Sequence, residues 1–303
     1  MMRDVSPNRA RLLEATPDLG DFRAAEASTH ARPALSSVWA TRRARALHLA
    51  VEVPEAEELL CTYAELLDVQ ARVAEAVPVR LWLALVAADA GPPRLRLDRL
   101  PVDELVPLFA DFLSAASGLG GEALPSDAGA LSSTPGASWL ALIGAALAPD
   151  ASEQDPPFHV RAFLQPVATA LAASEGEGVE TAKGGRCLVC GGAPAAGAIQ
   201  DLGDERPSHS FVCAMCGHAW RLPRPACARC GEDDPGRLPT HGVEALPWVR
   251  VDACASCGRY LKTVDLRVSP EAVPLVDDLA TLELDRWARD QGLQRVQENL
   301  FGL

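Results

Sequence analysis

Four copies of the pentapeptide Cys-x-x-Cys-Gly lie between residues 187 and 258, and they constrain the fold of this 303-residue chain more than any other feature. Two residues between thiolates let one tight turn present both sulfurs to a metal ion, and the glycine that follows permits a positive φ. Two such turns complete a tetrahedral shell. The sequence therefore predicts two Cys₄ metal sites, and the eight predicted ligands are Cys187, Cys190, Cys213, Cys216, Cys227, Cys230, Cys254 and Cys257.

The spacing of the four pairs indicates a duplication. Cys227 follows Cys187 by 40 residues, and Cys254 follows Cys213 by 41. An offset conserved this closely is an internal repeat. We therefore predict two ribbons in tandem, the first holding the pairs that begin at 187 and 213 and the second holding those that begin at 227 and 254. An interleaved arrangement, which would join the pairs beginning at 187 and 227, remains an alternative.

The predicted sites accept more than one metal, since tetrahedral thiolate sulfur binds either zinc or iron. Eight cysteines that fill two shells leave no open coordination position for catalysis, so the chain is not expected to be an enzyme. Disulfides or a redox-active Cys-x-x-Cys would use the same residues. The chain begins Met1-Met2-Arg3-Asp4 without an apolar stretch behind it, which predicts a cytoplasmic location where thiols stay reduced.

Two further residues belong to metal-ligating types without forming a motif. Cys61 lies on an apolar helical stripe and is predicted to be a small buried hydrophobic residue. His218 follows Cys216 closely enough to replace a cysteine in a mixed shell, but four complete cysteine pairs make this unnecessary.

Composition argues against nucleic acid and membranes as partners. The formal net charge is −13, which gives a phosphate backbone little electrostatic attraction. The longest uncharged apolar runs, 81–88 and 139–148, are far shorter than the roughly 18 residues that a membrane helix requires. The 48% hydrophobic content is that of a chain that folds around a core.

The chain divides into segments of different periodicity, and the predicted fold class is α+β. Apolar residues recur at three- and four-residue intervals from 55 onward and again over 79–88, 102–117, 137–148 and 158–173, which predicts a helical domain. Short β-prone pieces at 210–212 and 248–251 lie among the cysteines. A last helix is predicted from about 274 to 291, with Asp277 and Asp278 near its positive end. The predicted segments are an irregular basic arm (1–50), a helical domain (51–175), a linker (176–185), two rubredoxin-like or zinc-ribbon-like Cys₄ modules (186–224 and 225–268) and a C-terminal helix and tail (269–303).

Trp220 and Arg224 lie between the second and third cysteine pairs. The tryptophan ring and the arginine charge are predicted either to pack within the ribbon or to contact a partner protein.

In residues 185–303 the four cysteine pairs, with Trp220 and Arg224, are followed by Tyr260-Leu261-Lys262 and then by Asp277-Asp278-Leu279-Ala280 with Leu282 and Asp285. This order of motifs resembles that of the FdhE family of formate dehydrogenase accessory proteins. The family's Gly-Tyr and Asn-Pro near the C-terminus are here Gly292-Leu293 and Asn299-Leu300.

The resemblance implies a cytoplasmic, non-catalytic maturation factor or chaperone with rubredoxin-like iron sites. It also implies contact with the catalytic subunit of formate dehydrogenase. Two other functions remain open at this point, an electron-transfer or sulfur-handling protein and a zinc-ribbon module that binds nucleic acid. The six Arg against eight acids between residues 187 and 257 disfavour the nucleic-acid function.

Overall fold

The structure is a computed structural model. The structure describes residues 35–302, with gaps at 79–80, 82–84, 86–90, 120–130, 132, 134–135, 149–155, 174–180, 183, 202 and 204–206. The part of the predicted basic arm before residue 35 and most of the predicted helical segment 79–88 lie outside the described residues. Within the described part of the chain, no helix combines the length and the apolar character needed to cross a membrane.

Among the described residues, five helices lie in the N-terminal half and two short helices follow the cysteine-rich region. They are α1 (Leu35–Glu52), α2 (Glu57–Ala76), α3 (Val102–Ala116), α4 (Gly136–Leu147), α5 (Phe158–Ala173), α6 (Pro274–Ala280) and α7 (Leu282–Asp290). The helices predicted from residue 55 onward and at 102–117, 137–148 and 158–173 are confirmed as α2 to α5. Their apolar stripes meet in one core that includes Leu60, Leu66, Phe109 and Phe163.

Helix α1 corrects the prediction that residues 1–50 form an irregular arm. From Leu35 the chain is helical, and Trp39, Leu47 and Leu49 are almost completely buried against the rest of the helical layer. The arginines of this helix obscured its apolar stripe in the sequence. Two of them, Arg42 and Arg45, are themselves buried and turn toward the C-terminal half.

The cysteine-rich half forms one mixed sheet with the strand order β3-β2-β1-β6-β5-β4, and β7 pairs with β6. Its strands are β1 (Pro194–Gln200), β2 (Ser208–Cys213), β3 (Ala219–Leu222), β4 (Thr240–Gly242), β5 (Val249–Ala253), β6 (Arg259–Asp265) and β7 (Gln294–Arg295). The β-prone pieces predicted at 210–212 and 248–251 are confirmed within β2 and β5.

The two ribbons share this sheet because β1 of the first pairs in parallel with β6 of the second, with Gly197 opposite Thr263. A Cβ added to Gly197 would lie 2.4 Å from the Thr263 hydroxyl oxygen, so only glycine fits at this position of the junction. The tandem modules are therefore fused through their backbones.

The predicted linker 176–185 is partly ordered by the first ribbon. Residues 176–180 and 183 lie outside the described residues, but Ala182 N–H donates to the Arg221 carbonyl at 3.0 Å. A Cβ at Gly185 would clash with the Ala228 carbonyl, which shows how closely this segment packs on the third cysteine turn. Gly185 thus permits close packing between this segment and the third cysteine turn.

The helix predicted over 274–291 is two helices that meet at Thr281, whose backbone is not helical (φ −116°, ψ 41°). The Lys262 ammonium donates to the carbonyls of Asp278 and Thr281 at 2.6 and 3.2 Å. In a continuous helix each carbonyl accepts a hydrogen bond from the N–H four residues later. A buried lysine that donates to these carbonyls instead favours a break in the helix.

Candidate metal centres

Each of the four Cys-x-x-Cys-Gly segments folds into the same turn. The glycine N–H donates to the carbonyl of the first cysteine at 2.9 to 3.2 Å, and the glycines have φ between 67° and 78°. The N–H of the first cysteine donates in turn to the carbonyl five residues later, at 2.7 to 2.9 Å. Because φ in this range strains other residues, the glycine in the pentapeptide is required by the turn. The glycines are Gly191, Gly217, Gly231 and Gly258.

The turns bring the eight sulfurs into two groups of four, and within each group all the Sγ atoms lie within 4.8 Å of one another. The first group is Cys187, Cys190, Cys213 and Cys216, and the second is Cys227, Cys230, Cys254 and Cys257. This is the tandem arrangement; the interleaved alternative, with the pairs at 187 and 227 together, is not formed. Cys61 belongs to neither group and packs against the helical core.

The sulfur separations fit a tetrahedral metal site. The nearest cross-turn pairs are 3.7 Å (Cys187–Cys216) and 3.5 Å (Cys190–Cys213) in the first group and 3.6 Å (Cys227–Cys257) and 3.7 Å (Cys230–Cys254) in the second. A tetrahedron with metal–sulfur bonds of about 2.3 Å has edges of about 3.8 Å. A disulfide would require about 2.05 Å. All eight thiols are free.

Electrostatics in the first group favour a cation at its centre. Hydrogen bonds from the Cys190, Cys213 and Cys216 thiols strongly lower the pKa of Cys187. The Cys190 and Cys216 thiols donate hydrogen bonds to the Cys187 thiolate, and these bonds raise the pKa of both thiols well above the ordinary value. Burial raises their pKa further. A cation bound among the four sulfurs would favour their thiolate forms, so this donor set suits a metal ion.

In the second group, burial raises the pKa of the Cys227 thiol to about 12. The first cysteine turn of this group also directs a backbone donor to sulfur, since Arg229 N–H donates to Cys227 Sγ at 3.4 Å. Met215 N–H donates to Cys213 Sγ at the same distance in the first group. Such N–H···S bonds stabilise thiolate charge, so the donor set suits a metal in both groups.

A cluster of buried charged residues, separate from the two sulfur groups, lies beneath the sheet. The spacing of the sequence motifs did not identify it as a site. The Lys262 ammonium, completely buried on β6, donates to the Asp285 carboxylate at 2.5 Å and forms an ion pair with the Asp278 carboxylate at 3.1 Å. Arg295 on β7 forms ion pairs with the same two carboxylates, and Tyr260 O–H donates to Asp285 at 2.8 Å. Two buried cations therefore balance two buried carboxylates, which is the arrangement that buried charges require.

Comparison with known proteins gives the same result for sequence and for structure. A family model described as "FdhE, C-terminal domain" matches residues 227–301. The "Protein FdhE homolog" of Aquifex aeolicus is 27% identical over 212 residues, which cover 70% of this chain and 75% of that relative. The homologue from Stutzerimonas stutzeri is 35% identical over 116 residues, 38% of this chain and 37% of the relative.

The crystal structure of the FdhE protein from Pseudomonas aeruginosa matches this structure with a TM-score of 0.63 and 25% sequence identity. The match covers 90% of this chain and 98% of that one, so it includes the helical half as well as the sheet. The chain is thus similar to FdhE proteins over both of its halves. The resemblance found in residues 185–303 is thereby confirmed.

Two of the motifs in the resemblance, Tyr-Leu-Lys and Asp-Asp-Leu-Ala, contribute residues to the buried cluster rather than to the surface. Tyr260 and Lys262 of the Tyr-Leu-Lys motif, Asp278 of the Asp-Asp-Leu-Ala motif and Asp285 are the members that contact one another. Asp277 points the other way and forms a buried ion pair with Arg45. In this chain, the motif residues attach the C-terminal helices to the sheet and to the helical half.

Trp220 and Arg224 have different environments. The Trp220 ring is completely buried, lies edge-on to Phe211 with centroids 5.7 Å apart, and donates from Nε1 to the Gly184 carbonyl at 3.1 Å. This is the packing alternative, and it leaves Trp220 no surface for a partner. Arg224 is exposed and forms an ion pair with Asp233, which connects the strand after the second cysteine turn to the loop after the third. His218 contributes its carbonyl to the second turn and belongs to neither sulfur group.

Proposed function

We propose that this chain is an accessory factor for formate dehydrogenase that binds the catalytic subunit through its metal-stabilised ribbon sheet and does not itself catalyse a reaction. The observation that carries the proposal is the pair of closed four-sulfur groups within a chain that is similar to FdhE proteins. A shell of four thiolates leaves no vacant position for substrate, which supports a structural or one-electron role for the metal. The proposal includes a cytoplasmic location and excludes nucleic acid as a partner, in accordance with the net charge of −13.

The eight cysteines would hold one ion in each group, iron by family resemblance or zinc by the same ligand chemistry. The metal would cross-link the two cysteine turns of each group, and an iron centre would additionally exchange one electron. The peptide itself already fixes the turns through their glycines and backbone hydrogen bonds. Loops that are ordered before binding lose less entropy when a partner docks, so the metal contributes affinity without contacting the partner.

The fused sheet determines how the loops are presented. Because β1 and β6 pair across the two ribbons, the two metal groups are carried by one rigid platform rather than by two independent modules. The buried Lys262–Asp278–Asp285–Arg295 cluster attaches the C-terminal helices to that platform. We infer that the partner recognises the platform as a unit.

Co-purification tests this function. The full chain, expressed with a formate dehydrogenase catalytic subunit, is expected to purify with it and to restore formate oxidation in cells that lack the factor. Cys187→Ser and Cys254→Ser, one buried ligand from each group, are expected to reduce both metal content and partner recovery. Cys61→Ser is the matched control, since Cys61 lies outside both groups and its replacement should leave both readouts unchanged. Full metal content and full maturation with Cys187→Ser would contradict the proposal.

A further inference from the structure

The two four-sulfur groups are equivalent by repeat but lie in different surroundings. Cys190 and Cys230 occupy the same position of the repeat, and each approaches the opposite turn of its own group at a similar distance, 3.5 and 3.7 Å. In the first group three of the four sulfur-bearing residues are buried; in the second only Cys254 is buried and Cys230 is exposed.

The turn glycines give an independent measure of the same difference. An added Cβ would contact Pro93 at Gly191 (3.3 Å) and Arg42 at Gly217 (2.5 Å), so the helical half covers both turns of the first group. At Gly231 and Gly258 no atom of the described part of the chain lies within 4 Å of such a Cβ. The first group belongs to the large core shared with the helices. The second group is less covered: Gly185 packs on its first turn at Ala228, but an added Cβ at either turn glycine would have no described neighbour.

Cys190 keeps some exposure because it lines a cleft of about 640 Å³ between the helical half and the first ribbon. The remaining sulfurs of that group, on Cys187, Cys213 and Cys216, are no more than 3% exposed by residue. A ligand that reached Cys190 through the cleft would therefore meet one sulfur and a covered metal. Around the second group, Cys227, Cys230 and Cys257 are all at least partly exposed.

We propose that the second centre is a ligand-exchange site that accepts an incoming thiolate in the position of Cys230, while the first centre is a fixed structural cross-link. The proposal rests on the metal occupancy of the proposed function. The incoming sulfur forms a bond to the metal and the metal–Cys230 bond breaks. Cys230 leaves as a thiolate that takes a proton from solvent, and the oxidation state of the metal does not change.

The surroundings of Cys230 permit this exchange without collapse of the site. The Ser256 hydroxyl on the fourth turn donates to Glu232 at 2.5 Å and accepts from Arg237 at 2.9 Å, so the third and fourth turns stay joined when one metal bond is lost. Arg229, exposed and adjacent to Cys230, places a positive charge where an anionic sulfur would approach. Exchange at this centre would let a thiolate-bearing partner bind the factor directly through the metal.

The first experiment measures how fast each ion leaves. The full chain is loaded with zinc to two ions, and the chromogenic chelator 4-(2-pyridylazo)resorcinol is added. We expect one ion to be released at least about tenfold faster than the other, because exchange at a thiolate depends on access. Cys190→Ser should keep the fast ion and Cys230→Ser should keep the slow one. Equal release of two ions would overturn the proposal and leave the proposed function intact, whereas failure to bind two ions would remove both.

Alkylation of the unsubstituted chain covers the case in which a variant does not fold. Among the eight predicted ligands of zinc-loaded protein, limiting N-ethylmaleimide should modify Cys230 first and the cysteines of the first group last, as read by peptide mass spectrometry; Cys61, which lies outside both groups, is counted separately. Modification of the first group before or together with Cys230 would contradict the proposal.

Rescue tests the ligand class. Glutathione present while Cys230→Ser is loaded with zinc should restore binding of the second ion, since its thiolate fills the vacated position. S-methylglutathione has the same shape and charge without a free thiol and is expected to have no effect. An equal effect of the two peptides, or no effect of glutathione, would exclude a thiolate site.

Discussion

The Arg45 guanidinium on α1 forms a buried ion pair with the Asp277 carboxylate on α6, 232 positions later in the chain. Nε and Nη2 donate at 3.0 and 2.6 Å, and the Trp248 indole of the second ribbon donates to the same carboxylate at 2.8 Å. One carboxylate thus contacts the helical half and the ribbon sheet together. Its sequence neighbour Asp278 points to Lys262 and Arg295 beneath the sheet.

Asp277→Asn is expected to destabilise the chain by about 3 kcal/mol, because it removes the near counterion of the buried Arg45 charge and leaves the exposed Glu271 carboxylate 3.9 Å away. The free energy of unfolding from denaturant titration measures the loss. Asp68→Asn is the matched control. Asp68 on α2 pairs with Arg43, which lies on α1 like Arg45, but the Asp68 side chain is 57% exposed. Exposed pairs contribute about 0 to 1 kcal/mol, so a similar loss in the two variants would contradict the account.

Lys262→Met is expected to cost about 3 to 5 kcal/mol, since it leaves two buried carboxylates with the single charge of Arg295. Adding Asp285→Asn restores the charge balance. The double variant should therefore lose about 1 to 3 kcal/mol less than the sum of the single variants. Additive losses, measured in the same denaturant titration, would show that the cluster does not act as a unit.

Metal affinity is expected to rise with pH between about 5 and 8. Without metal, the pKa of Cys190, Cys216 and Cys227 lies above the ordinary thiol value, so these groups are protonated in this range. Binding requires thiolates, and protons must leave as the metal enters. Raising the pH removes those protons beforehand and favours the bound state. Competition with a chelator at several pH values measures the slope, and an affinity independent of pH would contradict the Cys₄ assignment.

The two sulfur groups were the part of the site that sequence predicted best. The glycine after each cysteine pair reflects local turn geometry, and the 40- and 41-residue offsets reflect a duplication. Neither signal depends on tertiary contacts. The helices α2 to α5 were equally readable, because each needs only its own apolar stripe.

The long-range features were not readable from the same signals. Strand β1, Pro-Ala-Ala-Gly-Ala-Ile-Gln, has one β-branched residue, and its place in the sheet depends on the close approach of Gly197 to Thr263. Asp277 and Asp278 suit the positive end of a helix, yet their partners are Arg45, Lys262 and Arg295 from distant segments. Only the fold brings those charges together.

Elemental analysis of the full chain, purified under reducing conditions, tests the central claim most directly, because everything proposed here requires that the two sulfur groups hold metal. The account predicts two ions of iron or zinc per chain, one of which is lost with Cys187→Ser and the other with Cys254→Ser, while Cys61→Ser retains both. Fewer than one ion per chain, or metal content unaffected by either ligand substitution, would contradict it.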